Sequence, residues 1–181
     1  KGSLPKIDKF NVSIEKDLFR RDFTINSIAI NINKINEDVI DPFNGYEDLK
    51  NSLIKINHEE SFLDDPTRIF RAIKFSKRLN FKIDANTEKN LKGSIFNLKK
   101  LSAERIKNEI EKISYEKNCK NILIELRNLG ALKYFYDFDP SDIKFNVKDI
   151  SNWDILIFEI VKKDIQQSDT FFSNYNLEKK L

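Results

Sequence analysis

Three stretches combine residue types and spacings that could do chemistry. The first is DLFRRDFTIN, from Asp17 to Asn26. Two adjacent arginines stand between carboxylates, just before an apolar run. A guanidinium fork binds phosphates and carboxylates bidentately, and Asp22 could orient one of the two. Asn26 could reach a sugar hydroxyl if the stretch is helical. The same residues also suit a capping and salt-bridge cluster, and residue types leave both roles open. The second stretch is DDPTRIFRAIKFSKRLNF, from Asp64 to Phe81. Asp65 and Arg68 are three apart, so they share a face of the first helical turn, and Arg71 and Lys74 continue it in steps of three. A carboxylate beside a guanidinium sets an acceptor next to a donor. Cytosine and adenine each present an amino donor beside a ring-nitrogen acceptor; guanine and uracil present the reverse order. Such a pair could accept the first two bases and refuse the others, with the remaining cations near phosphates. Alternatively, Asp65 caps the helix and pairs with Arg68. These roles are compatible, because a capping carboxylate keeps a free oxygen. In the third stretch, Asp41 to Leu49, turn chemistry dominates: Asp-Pro, then Asn-Gly with Gly45, then Asp48 starting or capping a helical turn.

Other residues read as structural. Glu104, Arg105 and Glu109 could brace neighbouring helices. His58 is the only histidine, which favours a surface role, and Cys119 is the only cysteine, so it has no disulfide partner. Asp137 and Asp139 have the spacing of a metal pair, but they lie beside Pro140 at a helix end, and they are not read as one. No zinc pattern or glycine-rich phosphate loop appears. Neither a metal ligand nor a catalytic residue is expected in this chain.

The elements that must position these groups are mostly helical. Residues 1–14 read as a loop or edge strand. FTINSIAI (23–30) suits either a strand or a buried helix. Short strands are expected at 37–43 and 52–56, with the β-rich part ending near His58. From Asp65 onward the apolar period is helical. Asp65 is the expected N-cap and Pro66 the first helical residue, with Ile69, Phe70, Ile73 and Leu79 inward. Further helices follow from Thr87 to about Asn97, from Ser102 with Ile106, Ile110 and Ile113 inward, and from about Asn118 to Gly130, which suits a C′ position. A shorter helix carries Leu132 and Phe135 until Pro140 breaks it. A last one starts at Ser151 or Asn152, with Trp153, Leu156, Ile160 and Val161. The fold class is therefore mainly α: a multihelical array preceded by a small β-containing part.

Composition limits the setting. No apolar run approaches the roughly 20 residues that span a bilayer, and no membrane partner is expected. A lone cysteine favours a reducing, cytoplasmic compartment. A net charge of +3 says little about partners. Distribution says more: Arg68, Arg71, Lys74, Lys77 and Arg78 crowd one segment, as either a phosphate-binding stripe or a solvated face.

In order and spacing, these segments resemble the class II tRNA nucleotidyltransferase and poly(A) polymerase family. Its RRD-x-x-x-N motif is matched by Arg20, Arg21, Asp22 and Asn26. Its D-x-x-x-G-x-x-D-L motif is matched by Asp41, Gly45, Asp48 and Leu49. Its E-D-P-x-R-x-x-R-x-x-R-F string is matched at Asp65, Pro66, Arg68, Arg71 and Phe75, with Asp64 in place of Glu and Lys74 in place of Arg. Its E-R-x-x-x-E helix is matched by Glu104, Arg105 and Glu109. The resemblance runs from about Ser13 to about Asp137. It implies that Arg21, Asp22 and Asn26 contact the ribose and phosphates of an incoming nucleotide. Asp65 and Arg68 would read the base, and Arg71 and Lys74 would help to hold the nucleotide. Residues 41–49 would be a hinge-like element. Residues 1–60 would close the nucleotidyltransferase head, residues 61–140 would form a helical neck for nucleotide recognition and RNA binding, and residues 141–181 would start the body. The resemblance further implies addition of C or A to RNA 3′ ends, with the tRNA 3′ end as partner, ATP and CTP as substrates, and Mg²⁺ held by residues outside this chain. The chain alone is accordingly expected not to extend RNA. Poly(A) addition, and a non-catalytic RNA- or nucleotide-binding module, are alternatives.

Overall fold

Apolar residues at helical spacing drive the second half of the chain to wrap one core. The computed structural model describes residues 13–32 and 39–163. The expectations for residues 1–12, for the start of the 37–43 strand and for the side chain of Val161 lie outside the described residues. The helices are α1 (Ile14–Phe19), α2 (Gly45–Lys50), α3 (Ser61–Asp64), α4 (Arg68–Leu79), α5 (Ala85–Ser94), α6 (Ala103–Ser114), α7 (Cys119–Asn128) and α8 (Asn152–Lys163). Short 3-10 turns lie at Thr24–Asn26, Ile95–Lys100, Leu132–Tyr134 and Pro140–Asp142. Among the described residues the one sheet has two strands, β1 (Leu53–Ile54) and β2 (Lys82–Ile83), which pair in parallel. The fold is mainly α.

Ile69, Phe70 and Ile73 of α4 meet Ile106, Ile110 and Ile113 of α6, Ile122, Leu123 and Leu126 of α7, and Leu156 and Ile160 of α8 in a continuous core. Phe23, Ile54 and Ile56 belong to the same core. The β1–β2 pairing therefore joins the segment before His58 to the helical array, and packing is continuous across it. Local signals end the helices where expected. Ser102 accepts from the Arg105 N–H. Gly130 has φ +72°, and the N–H groups of Gly130 and Ala131 donate back to the carbonyls of Arg127 and Leu126, a Schellman closure.

Several expectations need correction. Residues 23–30 form neither a strand nor a buried helix. They make a 3-10 turn between isolated antiparallel bridges, Phe23 with Ile56 and Ala29 with Ile40. The Asp22 carboxylate accepts from the Phe23 N–H and from Asn26 Nδ2, and Ser27 Oγ donates to the Phe23 carbonyl, so side chains hold the backbone out of either ladder. In 37–43 the described part contributes only the bridge at Ile40. The strand expected at 52–56 shrinks to Leu53–Ile54. Asp65 is not the N-cap: its carboxylate accepts from the Thr67 N–H at 3.1 Å and holds a tight turn through Pro66 and Thr67, Thr67 takes the N-cap position, and α4 begins at Arg68. Leu79, at the α4 terminus, is exposed rather than inward. Helix α5 starts from Asp84, whose carboxylate accepts from the Thr87 N–H, and ends in a 3-10 turn. Pro140 opens a 3-10 turn instead of breaking a helix. His58 is largely covered, stacked on Phe19 at 4.5 Å between ring centroids.

Candidate nucleotide-binding site

The pocket is built where the turn after α1 meets the start of α4. It has a volume of about 440 Å³ and is lined by Arg20, Arg21, Asp22, Asn26, Asp65, Arg68 and Arg71. That volume lies within the range of small-molecule sites. Six of the seven nucleotide-site residues proposed from sequence thus share one cavity. The seventh, Lys74, does not line it.

The four arginines are held by three devices. Asp17 grips Arg20 and Arg21 together. One carboxylate oxygen accepts from Arg20 Nε at 2.8 Å and NH2 at 2.5 Å, and the other accepts from Arg21 Nε and NH2 at 3.4 and 3.3 Å. These bonds, Arg20 first, hold the Asp17 carboxyl below its usual range. Asp22 is 7% exposed and spends both oxygens. Oδ1 accepts from Phe23 N–H and Asn26 Nδ2, and Oδ2 accepts from Arg71 Nε at 2.7 Å and NH2 at 2.5 Å. It is therefore a positioning group for Asn26 and Arg71. Arg68 donates from NH1 to Ser61 Oγ at 2.6 Å and from NH2 to the Arg20 carbonyl at 2.5 Å. Burial pulls the Arg68 guanidinium below its ordinary value, with Asp65, Asp22 and Asp64 opposing. An arginine keeps its charge regardless.

Asp65 and Arg68 are neighbours without a mutual hydrogen bond. Among the described residues, Asp65 Oδ1 takes all the hydrogen bonds of that carboxylate, from Thr67 N–H, Thr67 Oγ and Arg105 NH2 at 2.9 Å. Oδ2 accepts no hydrogen bond among the described residues. A fixed acceptor with an open oxygen thus stands beside a guanidinium with N–H groups to spare.

The third motif acts from behind. The Asp41 carboxylate accepts from the N–H groups of Gly45 and Tyr46 at 2.7 and 2.8 Å, capping α2. Asp48 was expected to start or cap a helical turn; it lies inside α2, buried, and its Oδ2 accepts from Thr24 Oγ at 2.7 Å. Gly45 permits this approach, since a Cβ there would sit 2.1 Å from the Thr24 carbonyl oxygen. The motif therefore clamps the turn that carries Arg21, Asp22 and Asn26.

The remaining expected residues have other places. Lys74 is buried and faces Glu109 across 4.0 Å, and burial pulls its ammonium below the ordinary lysine value. The step of three that aligned it with Arg71 on paper turns it inward, because α4 is covered by α6 on that side. Arg105 reaches Asp65 from α6, a brace between helices as expected. Glu104 is exposed and makes no such brace among the described residues. Three positioning residues escaped the sequence reading. Ser61 holds Arg68. Asn57 Nδ2 donates to the Leu18 and Arg21 carbonyls and to Ser27 Oγ, tying down the arginine turn. Thr67 Oγ donates to Asp65. Serine, asparagine and threonine carry no distinctive signal in sequence.

Taken together, cations held open around one free carboxylate oxygen define a site for an anionic ligand with a hydrogen-bonding edge. Residues 2–55 match the poly(A) polymerase head domain, and residues 80–140 match a family described as the probable RNA and SrmB-binding site of polymerase A. The A-adding tRNA nucleotidyltransferase of Geobacter sulfurreducens is 34% identical over 165 residues, covering 87% of this chain and 18% of that protein. Among solved structures, a CCA-adding enzyme in complex with ATP aligns with a TM-score of 0.78 at 32% identity, covering 92% of this chain and 44% of that one. The Thermotoga maritima CCA-adding enzyme complexed with tRNA aligns with a TM-score of 0.77 at 32% identity, covering 92% and 45%. The chain belongs to the poly(A) polymerase and tRNA nucleotidyltransferase family. It spans less than half the length of each of these three proteins.

Proposed function

We propose that this chain supplies the nucleotide-selecting pocket of a template-independent RNA nucleotidyltransferase that adds C or A to RNA 3′ ends, with tRNA as the favoured acceptor. The observation that carries this reading is the open Oδ2 of Asp65 beside the anchored guanidinium of Arg68, inside a cavity rimmed by Arg20, Arg21 and Arg71. Asp65 Oδ2 accepts from the amino group of cytosine or adenine, and an Arg68 N–H donates to the adjacent ring nitrogen. Guanine and uracil bring a carbonyl to the carboxylate and an N–H to the guanidinium, so both contacts become repulsive. A buried site that must hydrogen-bond its substrate rejects an analogue with the wrong pattern strongly. Arg20, Arg21 and Arg71 serve the triphosphate, and Asn26, held by Asp22, faces the sugar. CTP and ATP are the substrates.

Residues 13–60 form the closing part of the head, residues 61–140 the neck, and the residues after them the start of the body. A cytoplasmic setting suits the lone, buried Cys119. Among the described residues, no helix is long and apolar enough to cross a membrane. The Mg²⁺ that the family implies does not fit this pocket. Asp22 has both oxygens engaged, and Asp65 offers one oxygen among arginines. The ion's ligands therefore lie outside this chain.

The test is 3′-end extension by the full-length protein, with tRNA ending before CCA or after CC and each nucleotide supplied separately and together. Extension with CTP or ATP and not GTP or UTP supports the reading, and product length separates CCA addition from single A addition and poly(A) tailing. Arg68→Ala should erode the C/A preference. An unchanged preference refutes base reading by this pair, and no extension at all favours a binding module.

A further inference from the structure

Of the four arginines that line the pocket, three face a carboxylate. Arg20 and Arg21 share Asp17, and Arg71 takes Asp22. Arg68 differs. Among the described residues its hydrogen bonds go to neutral oxygens only: Ser61 Oγ at 2.6 Å, the Ser61 carbonyl at 3.4 Å and the Arg20 carbonyl at 2.5 Å. A carboxylate would orient the guanidinium but would also compete with a neutral base edge for its N–H groups. A hydroxyl and a carbonyl fix its plane and leave its charge and its other N–H groups for a ligand.

Ser61 is built for that duty. It is fully buried, at the first position of α3. Its N–H donates to the His58 carbonyl, and its carbonyl accepts from the Asp65 N–H at 3.2 Å, so the backbone on both sides of its hydroxyl is fixed. Through that last bond the residue that aims Arg68 also fixes the start of Asp65. One small side chain thus sets both halves of the Asp65–Arg68 pair relative to each other.

We infer that Ser61 is a positioning residue for nucleotide selection: its hydroxyl fixes the plane of the Arg68 guanidinium and so determines which base edge the pocket accepts. The inference rests on the base-reading role proposed for Arg68. Ser61 touches no reacting atom, so its loss affects discrimination and nucleotide affinity before turnover.

The experiment is the extension assay with the full-length protein, comparing Ser61→Ala, Ser61→Cys and Arg68→Ala. Each rate is normalised to the folded fraction measured by circular dichroism. The cysteine variant fills the same space with a poor acceptor, so it separates loss of the hydrogen bond from loss of volume. The expected result is a KM for CTP and ATP raised about tenfold in both Ser61 variants, with kcat changed far less. Misincorporation of UTP and GTP should rise by a similar factor, since a hydrogen bond to a charged group is lost. Ser61 variants with wild-type KM and wild-type selectivity, alongside an Arg68→Ala protein that has lost selectivity, overturn the inference and leave the base-reading proposal standing. If Arg68→Ala is itself unchanged, both fall. A defect in Ser61→Ala that Ser61→Cys fully repairs assigns Ser61 to packing and also overturns it.

Discussion

Replacing Gly45 with alanine tests the clamp behind the pocket. The added Cβ would lie 2.1 Å from the Thr24 carbonyl oxygen, 2.6 Å from its carbon and 3.1 Å from Ile28 Cγ1. A normal carbon–oxygen contact is about 3.3 Å, so α2 must retreat by about 1 Å. The obstacle is backbone, which has no rotamer to escape into. Overpacking of this kind costs about 1–3 kcal/mol. The retreat also breaks the buried bond from Thr24 Oγ to Asp48, another ~1.5–3 kcal/mol for a charged acceptor. Better helix propensity returns at most about 1 kcal/mol. The net loss is about 1.5–5 kcal/mol, and a loss of about 3 kcal/mol lowers Tm by about 6–12 °C in a chain of this size. Gly93→Ala is the internal control. It lies in α5 with nothing within 4 Å of its added Cβ, and it should raise stability by about 0.5–1 kcal/mol. Thermal and urea unfolding of the two variants, side by side, decide the matter. If Gly45→Ala is as harmless as Gly93→Ala, α2 does not depend on this close approach.

Other outcomes follow from the site. Asp22→Asn removes the charge that holds Arg71, so nucleotide KM should rise about tenfold in the full-length protein and stability should fall by about 1–3 kcal/mol; unchanged KM would show that Arg71 needs no such anchor. Asp17 has its folded value below the unfolded one, so its contribution is complete above the ordinary aspartate range and is lost as pH falls through the lowered value. Its carboxyl carbon, followed by NMR, should therefore titrate below the ordinary midpoint of about 3.9, and a midpoint above it contradicts the shared grip on Arg20 and Arg21. Cys119 is buried, and burial raises its thiol pKa, so a thiol reagent should modify it at the rate of unfolding and no faster. Prompt modification of the native protein would refute its burial.

The parts of the fold that were legible in sequence are those governed by repeated signals. Ile106, Ile110 and Ile113 recur at helical spacing, and all are buried. Gly130 marks a helix end by the one conformation that suits it. The clustering of arginines and carboxylates was legible from their fixed offsets, but that they form a pocket rather than a salt-bridge cluster came only with the family resemblance of the ordered motifs. What was not legible depends on partners distant in sequence. The β2 strand is two residues long and exists because Leu53 and Ile54 lie alongside. The turn at Thr24–Asn26 is dictated by Asp22 and Ser27 side chains, which periodicity does not register. Lys74 looked like a continuation of the Arg68–Arg71 stripe, since spacing does not reveal which side of a helix is covered. Glu109, the residue that receives it, lies on another helix.

That buried pair sets the rotation of α4 about its own axis. Ile69, Phe70 and Ile73 offer α4 an apolar flank that would tolerate a small roll with little change in buried area. An ammonium cannot roll so freely. Its nearest carboxylate oxygen is at 4.0 Å, and moving away leaves a charge stranded in a low-dielectric interior. Lys74 and Glu109 thus act as an indexing pin. They choose the angle at which the helix rests, and Arg71 and Arg68, three and six residues back along the same helix, inherit it. Exchanging both for apolar residues of similar size should leave a protein of comparable stability whose arginines no longer share one aim.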